Sequence, residues 1–226
     1  MTDRPIPFSP PMMCALLREI AEPGTGKTQT RRVLKRQPEA RCDKAFIGAD
    51  GICRFSWPTE LHPISYARND RRLPFAVGDR LWVREAWRTA EAYDDLKPRD
   101  MGGDEPVKYL SDDSTETWGW KIDRHLTGRL RPPMFMPRWA SRVTLAVTDV
   151  RVQRVQDISG EDCAAEGACE FAMTPPTDAD REEARDAFRI LWDSLNVARG
   201  YGWEANPWVV AVTFTPELRN IDQVQA

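Results

Sequence analysis

The sequence predicts an α+β fold: a small, mostly antiparallel β-barrel with flanking helices and two long insertions. The predicted elements follow the order helix, loop, strand, long strand, short helix, long helix and strand. Few of these strands are joined by crossover helices, which disfavours a doubly wound parallel sheet and favours an antiparallel barrel. With 226 residues, 41% of them hydrophobic, the chain is long enough to bury the core of one large domain.

The first predicted helix begins after Ser9, which can cap it, and ends by Glu22 because a proline and a glycine follow. Its apolar residues recur at the spacing i, i+3, i+4 and i+7 and form one face, made by Met13, Leu16, Leu17 and Ile20. The next residues, 24–32, are predicted to form a loop that this helix holds in place.

Three segments alternate apolar residues with others, as half-buried strands do. These segments are 79–85, 142–155 and 208–214. In the second of them the phase changes between Val147 and Val150, which indicates a bend or a bulge. Residues 38–75 lack sustained periodicity and are predicted to be an irregular excursion. Residues 89–136 form a second excursion, acidic at first and basic at its end.

Two further helices are predicted in the second half of the chain. A short one is capped by Ser159, with Asp162 three residues later, and ends at Gly167. The longest helix spans 178–196 and follows a loop over 170–180. The apolar stripe of this longest helix consists of Phe188, Leu191, Trp192 and Leu195.

Composition excludes several classes of protein. The five cysteines are odd in number and widely spaced, so we expect free thiols rather than a disulfide framework. The only histidines are His62 and His125, and we expect neither a metal site nor a cofactor. The sequence has no apolar run near the roughly 20 residues that a membrane span needs and no signal-peptide pattern at its start. We therefore expect a cytoplasmic protein with no membrane partner.

The charge pattern favours a small anionic ligand. The net charge of −3 disfavours a protein that wraps nucleic acid through bulk electrostatics. However, residues 1–41 carry eight basic against four acidic side chains, and 120–142 carry six against one. Such local concentrations suit a limited anionic ligand, and the alternative is ordinary solvated surface charge.

The stretch 23–28 invites comparison with a Walker A phosphate loop, whose amides and lysine bind nucleotide phosphates. Three features disfavour it: Ala21 stands where that pattern needs glycine, the preceding segment has helical spacing, and Pro38 cuts short the helix that should follow. The best later candidate for an aspartate that organises magnesium, Asp149, does not follow a clean apolar strand. A P-loop NTPase is kept as the least favoured alternative.

Three stretches resemble the ASCH family. They are Lys27-Thr28-Gln29-Thr30-Arg31-Arg32 after a short helix, Gly78-Asp79-Arg80-Leu81-Trp82-Val83-Arg84-Glu85, and the run from Val147 into Ser159-Gly160-Glu161-Asp162-Cys163-Ala164-Ala165-Glu166-Gly167. Together with 188–196 and 201–208, they are similar to the longer ASCH proteins of phages and prophages. The resemblance implies one PUA-like barrel domain over 1–226. Its core would be about 8–37, 78–88, 139–170 and 178–216, with insertions at about 38–77 and 89–138.

The resemblance also implies a chemistry. Some small ASCH proteins are amidohydrolases that remove the acyl group from N4-acetylcytidine with a lysine, a threonine and a glutamate. Carried over by motif, these residues are Lys27, Thr30 and Glu166. Where the family's loop usually has glycine two residues before the lysine, this sequence has Thr25.

The three residues suit amide hydrolysis, which needs a nucleophile, a base and a donor for the oxyanion. Thr30 could attack or position water, and Lys27 could be the base if burial or neighbouring cations lower its pKa. Glu166 could orient Lys27 or accept a hydrogen bond from the exocyclic amine, although its charge would raise the lysine's pKa. The alternatives are that Lys27 binds phosphate, Thr30 bonds the loop backbone and Glu166 pairs with an arginine.

A wider set of side chains could bind the substrate, a nucleoside or single-stranded RNA. Tryptophan faces stack on unpaired bases and arginines follow a phosphate backbone. The candidates are Arg31, Arg32, Trp82, Arg84, Glu85, Arg138 and Trp139. The second hypothesis is therefore a non-catalytic RNA-binding module, for which the resemblance to phage proteins implies a phage origin. The sequence leaves the oligomeric state open. Both hypotheses place Lys27, Thr30 and Glu166 in a common cleft.

Overall fold

A computed structural model describes residues 2–57, 65–66 (backbone only), 71–116, 126–168 and 177–223. Over these ranges the fold is α+β as predicted, with few helices and mostly antiparallel sheets. The α-helices there are α1 (Pro10–Ala21), α2 (Gly160–Ala165) and α3 (Asp178–Asn196). The strands are β1 (Asp3–Pro7), β2 (Gln29–Val33), β3 (Lys44–Ile47), β4 (Ile52–Trp57), β5 (Ser65–Tyr66), β6 (Arg71–Arg72), β7 (Arg80–Arg84), β8 (Trp87–Arg88), β9 (Val107–Tyr109), β10 (Thr115–Glu116), β11 (Thr144–Arg154) and β12 (Trp208–Glu217). Within the described part of the chain, no helix has both the length and the apolar character needed to cross a membrane.

The chain divides into two compact units. The first consists of Met1–Gly24, Asp79–Ala146 and Thr215–Ala226, and the second of Thr25–Gly78 and Val147–Phe214. Two strands, β11 and β12, therefore contribute residues to each unit. The single domain expected over the whole chain stays a prediction.

In the first unit, β7 pairs with β1 in parallel and with the start of β11 in antiparallel fashion. The short strands β8, β9 and β10 form an antiparallel sheet of their own. Helix α1 buries Met13 and Leu16, as its spacing predicts. A hydrophobic cluster of this unit contains Trp87, Met101, Val107, Tyr109, Met136 and Ala140.

In the second unit, β2 lies antiparallel to β12, with Val33 opposite Val209. Residues of α2 and α3 pack on this pair, because Val209 shares a hydrophobic cluster with Cys163, Phe188 and Trp192. The rings of Phe188 and Trp192 lie 5.9 Å apart. Strand β4 pairs antiparallel with β3, β5 and β6.

Most of the predicted elements are confirmed, and the bounds of the longest helix, 178–196, are those predicted. Ser9 occupies the N-cap position of α1, but its side chain makes no capping hydrogen bond. In α2 the Ser159 side chain does cap, accepting a hydrogen bond from the Asp162 amide at 3.1 Å. Most of the loop predicted over 170–180 lies outside the described residues.

Three predictions are wrong in detail. Residues 29–33 form β2 rather than part of a loop, and 38–75 contain the β3–β4 hairpin rather than an irregular excursion. The predicted stripe of α3 is also shifted, since Leu195 is 56% exposed. Leu195 lies on a different side of the helix from the buried residues, which follow each other at intervals of four. The residues of α3 that are buried are Ala184, Phe188, Trp192 and Asn196.

Candidate active site

Backbone hydrogen bonds within the second unit bring the start of β2 to the end of α2. The amide of Thr28 donates to the carbonyl of Ala165 at 2.9 Å, and the amide of Phe214 donates to the carbonyl of Thr28 at 2.9 Å. Helix α2 ends at Ala165, and its C-cap residue is Glu166, because Gly167 adopts a left-handed conformation with φ of +74°. Lys27 and Glu166 are therefore placed side by side by the main chain.

Lys27 and Glu166 form a buried ion pair. Lys27 Nζ donates hydrogen bonds to the backbone oxygen of Glu166 at 2.5 Å and to its carboxylate Oε2 at 2.8 Å. The lysine side chain is fully buried and that of Glu166 is 6% exposed. Burial lowers the pKa of Lys27, and the charges of Arg32 and Arg31 lower it further, while Glu166 opposes them. The net effect is a lysine whose pKa lies below its ordinary value.

Arg31 is the second cation on the Glu166 carboxylate. Its Nη1 lies 3.1 Å from Glu166 Oε1, and its Nη2 lies 2.6 Å from Asp162 Oδ2. Gln29 accepts a hydrogen bond from Arg31 Nη1 at 2.5 Å and donates one to Asp162 Oδ1 at 3.1 Å. Arg151 contacts the more exposed side of Asp162, with its Nη2 at 3.1 Å from Oδ1. Asp162 and Glu166 are thus each held by more than one side chain.

Thr30 and Arg32 lie on the other face of β2. Successive residues of a strand point to opposite faces, so Gln29 and Arg31 share the face that meets α2, and Thr30 and Arg32 share the opposite one. Thr30 is buried, at 1% exposure, and its backbone pairs with Val212. Arg32 is half-buried, and burial lowers its pKa while the charge of Glu166 opposes that effect.

Comparisons with known proteins give no relative on which to rest an interpretation of this cluster. No protein-family model, curated protein or solved structure matches the chain. The resemblance to ASCH proteins stays a prediction from the sequence motifs. The chemistry of the site is inferred below from its contacts and its burial.

The order of elements around Lys27 does not fit a Walker A loop. Such a loop follows a strand and opens a helix, so that helix amides and the lysine reach the phosphates. Here α1 precedes Lys27 in the chain and β2 follows it. The Nζ atom is also engaged by Glu166. The geometry therefore gives no support to the phosphate-loop alternative.

The remaining candidate residues lie in the first unit. The guanidinium of Arg84 lies 4.4 Å from the ring centre of Trp82, which is buried at 6% exposure. Arg138 pairs with Asp3 and Asp222 at 2.7 and 2.6 Å. The half-buried ring of Trp139 packs edge-on against Trp87, with centroids 6.4 Å apart.

Glu85, also proposed as a binding residue, is the centre of a second buried ionic cluster. Its carboxylate accepts hydrogen bonds from Arg142 Nε at 2.8 Å and from the Ser111 hydroxyl at 2.6 Å. The Arg142 guanidinium lies 4.0 Å from the ring centre of Tyr109 and also contacts Asp112. All of these partners of Glu85 belong to the first unit.

Sequence reasoning overlooked the role of Asp162 and Gln29 at the site. Asp162 and Glu166 are four residues apart, and residues at that spacing lie on one face of a helix. Gln29 and Arg31 are two apart and lie on one face of a strand. The two spacings together could have indicated that the four polar side chains meet. Asp162 was instead interpreted only as the partner of the capping Ser159.

Proposed function

We propose that this chain is an ASCH-type protein with a PUA-like barrel, which hydrolyses the N4-acyl amide of a cytidine-type nucleoside. Lys27 is the base and Glu166 is the partner of the lysine. Thr30 is the nucleophile or the residue that positions water, a role that rests on the motif alone because Thr30 lies on the face of β2 opposite the one that meets α2. The observation that carries the proposal is the fully buried contact between Lys27 Nζ and the Glu166 carboxylate. A lysine needs such a desolvated site to act as a base near neutral pH.

The proposed reaction divides the proton transfers among these groups. Lys27 Nζ takes the proton from the attacking hydroxyl while the new O–C bond forms at the acyl carbon. The C–N4 bond then breaks, and the proton passes to the exocyclic nitrogen, which leaves as the amine. If Thr30 attacks, the acyl group is carried on its oxygen until water hydrolyses the ester; if water attacks, the carboxylic acid forms directly.

The two hydrogen bonds donated by Lys27 Nζ are compatible with the base role. A neutral amine has two hydrogens, which can serve the backbone oxygen and the carboxylate of Glu166. Its lone pair is then the group that accepts the proton. Arg31, on the other oxygen of the carboxylate, reduces the charge that Glu166 presents to the lysine.

Turnover of N4-acetylcytidine, followed by the change in its ultraviolet spectrum, tests the proposal. We expect the wild-type protein to release cytidine and the Lys27→Met variant to lose about 10²–10⁴-fold in rate, the usual share of a general base. Thr30→Val and Glu166→Gln should also lose activity. The matched control is Lys44→Met, because Lys44 is an exposed lysine of the same unit. Absence of turnover in the wild type, or undiminished turnover in Lys27→Met, would remove the proposal.

The second candidate function, a non-catalytic RNA-binding module, is favoured by the Arg84–Trp82 pair. The guanidinium of the half-buried Arg84 lies 4.4 Å from the ring centre of Trp82. An unpaired base can stack on such a guanidinium. Binding of single-stranded RNA should weaken with salt and should be reduced in Arg84→Gln. Affinity that is independent of salt and unchanged in Arg84→Gln would count against this candidate.

A further inference from the structure

We infer that Arg31 is a positioning residue, which Asp162 and Gln29 clamp so that it fixes the Glu166 carboxylate against Lys27. This inference rests on the proposed function for its meaning, because it assigns Arg31 a task at the same site. The family resemblance assigns catalytic roles to a lysine, a threonine and a glutamate, and none to Arg31. The contacts of Arg31 carry the inference.

Arg31 and Lys27 bind different oxygens of the Glu166 carboxylate. Arg31 Nη1 holds Oε1 at 3.1 Å, and Lys27 Nζ holds Oε2 at 2.8 Å. A carboxylate held at both oxygens has a fixed plane, since rotation would break one of the two contacts. The direction in which Oε2 meets the lysine is therefore set by Arg31.

Arg31 is itself held in place by Asp162 and Gln29, which bond its guanidinium in addition to Glu166. Its Nη2 pairs with Asp162 at 2.6 Å, and Gln29 bonds both Arg31 and Asp162. Its side chain is fully buried. Asp162 and Glu166 lie one turn apart on α2, so the guanidinium spans two carboxylates that the helix keeps at a set spacing. Lysine could not make these contacts, because it lacks the planar fork.

The charge of Arg31 is shared between the carboxylates of Asp162 and Glu166. The guanidinium faces Asp162 and Glu166 at once, so attraction to one carboxylate competes with attraction to the other. Weakening the Asp162 contact should move Arg31 towards Glu166, and removing Arg31 should take away the hydrogen bond on Glu166 Oε1 while the contact of Oε2 with Lys27 stays. These two changes act on Lys27 in opposite directions. Among the described residues, the charges that act on Lys27 include those of Glu166, Arg31 and Arg32. Asp162 faces Arg31, Arg151 contacts Asp162, and Arg199 acts on Arg32.

Direct titration of Lys27 in the full chain tests the inference. The readout is the pH dependence of its side-chain ¹³Cε and ¹⁵Nζ resonances, identified by their loss in Lys27→Met. The chain has few lysines to separate: Lys27, Lys35, Lys44, Lys97, Lys108 and Lys121. Arg31→Gln should raise the Lys27 pKa by about one unit, the effect of losing one nearby cation. Asp162→Asn should lower it, and Arg151→Gln, which removes only the exposed contact of Asp162, should leave it unchanged.

The outcomes separate cleanly. Opposite shifts in Arg31→Gln and Asp162→Asn, with none in Arg151→Gln, support the inference. Shifts of the same sign, or no shift in either variant, overturn it. Should Arg31→Gln fail to fold, the contrast between Asp162→Asn and Arg151→Gln decides: a lowered pKa in the first alone supports the inference, and any other result overturns it. Because the titration does not depend on turnover, a failure to hydrolyse N4-acetylcytidine would remove the proposed function and leave this result to stand.

Discussion

Lys27 and Glu166 are 139 residues apart in the sequence, yet Lys27 Nζ lies 2.8 Å from Glu166 Oε2. The contact does not depend on side-chain attraction alone. The backbone of Thr28 bonds Ala165, next to Glu166, and the lysine also bonds the main-chain oxygen of Glu166. The main chain therefore presents the two side chains to each other before any ligand is considered.

Removing either partner of this pair should destabilise the protein unequally. In Glu166→Gln the buried lysine loses its carboxylate, and we expect the free energy of unfolding to fall by about 3 kcal/mol. In Lys27→Met the loss should be smaller, because Arg31 still compensates the charge of Glu166. Urea unfolding at neutral pH measures both changes, with Lys44→Met as an exposed-lysine control near zero. Equal losses in the two variants would contradict this account.

The lowered pKa of Lys27 predicts how stability depends on pH. An unfolded lysine titrates near 10.5, and burial lowers the pKa of folded Lys27 below that value. Between the two values the unfolded chain binds more protons than the folded one, so the free energy of unfolding rises with pH. This gain in the free energy of unfolding is complete above pH 10.5. It decreases as the pH falls from 10.5 to the pKa of folded Lys27, and below that pKa it is absent.

Unfolding free energies measured across this alkaline window check the sign. The wild type should show the rising component, and Lys27→Met should lack it, while Lys44→Met keeps it. A slope that is the same in Lys27→Met as in the wild type would show that Lys27 does not titrate in the expected direction.

The packing of α3 predicts a contrast between two neighbouring side chains. Phe188 is 3% exposed and packs with Trp192 and Trp203. Phe188→Ala should lower the free energy of unfolding by about 3–5 kcal/mol, because it removes transfer energy and leaves a cavity. Ile190 on the same helix is 72% exposed, so Ile190→Ala should change stability by less than about 0.5 kcal/mol. Comparable losses in the two variants would mean that α3 packs through a different face.

Hydrophobic period and cap residues predicted the helices and the three apolar strands, because apolar side chains recur in them at the spacing of a helix or a strand. The same signals could not find β2. Its residues Gln29, Thr30 and Arg31 are all buried although they are polar, and Asp162 of α2 bonds the side chains of Gln29 and Arg31. A pattern based on hydrophobicity treats such a strand as a loop. Strand β1 is not evident from hydrophobicity either, because it contains Pro5 and Pro7, and proline is disfavoured inside a sheet. It pairs in parallel with β7 at the edge of the sheet, where proline is tolerated.

The candidate site was predictable only in part. The motif placed Lys27 and Glu166 among the site residues, and the structure brings them into direct contact. The motif did not show that Arg31 bonds Glu166 and Asp162, because such a contact depends on which face of β2 meets α2. Glu85 illustrates the opposite limit. The sequence makes it a candidate binding residue, and only the structure shows that its carboxylate pairs with Arg142.

Glu85 therefore provides the last prediction, which separates a structural from a binding role. Its side chain is 3% exposed and pairs with Arg142, whose side chain is 8% exposed. Glu85→Gln would leave Arg142 with only the partly exposed Asp112 as a carboxylate partner among the described contacts, so the free energy of unfolding should fall by about 3 kcal/mol. Glu116→Gln, the same change at an exposed position of the same unit, should have almost no effect. Urea unfolding and RNA titration of both variants, the latter at a temperature where Glu85→Gln stays folded, distinguish the roles. A variant that keeps full stability but loses RNA affinity would place Glu85 in a binding surface instead, whereas lost stability with unchanged affinity fits a carboxylate whose task is to neutralise Arg142.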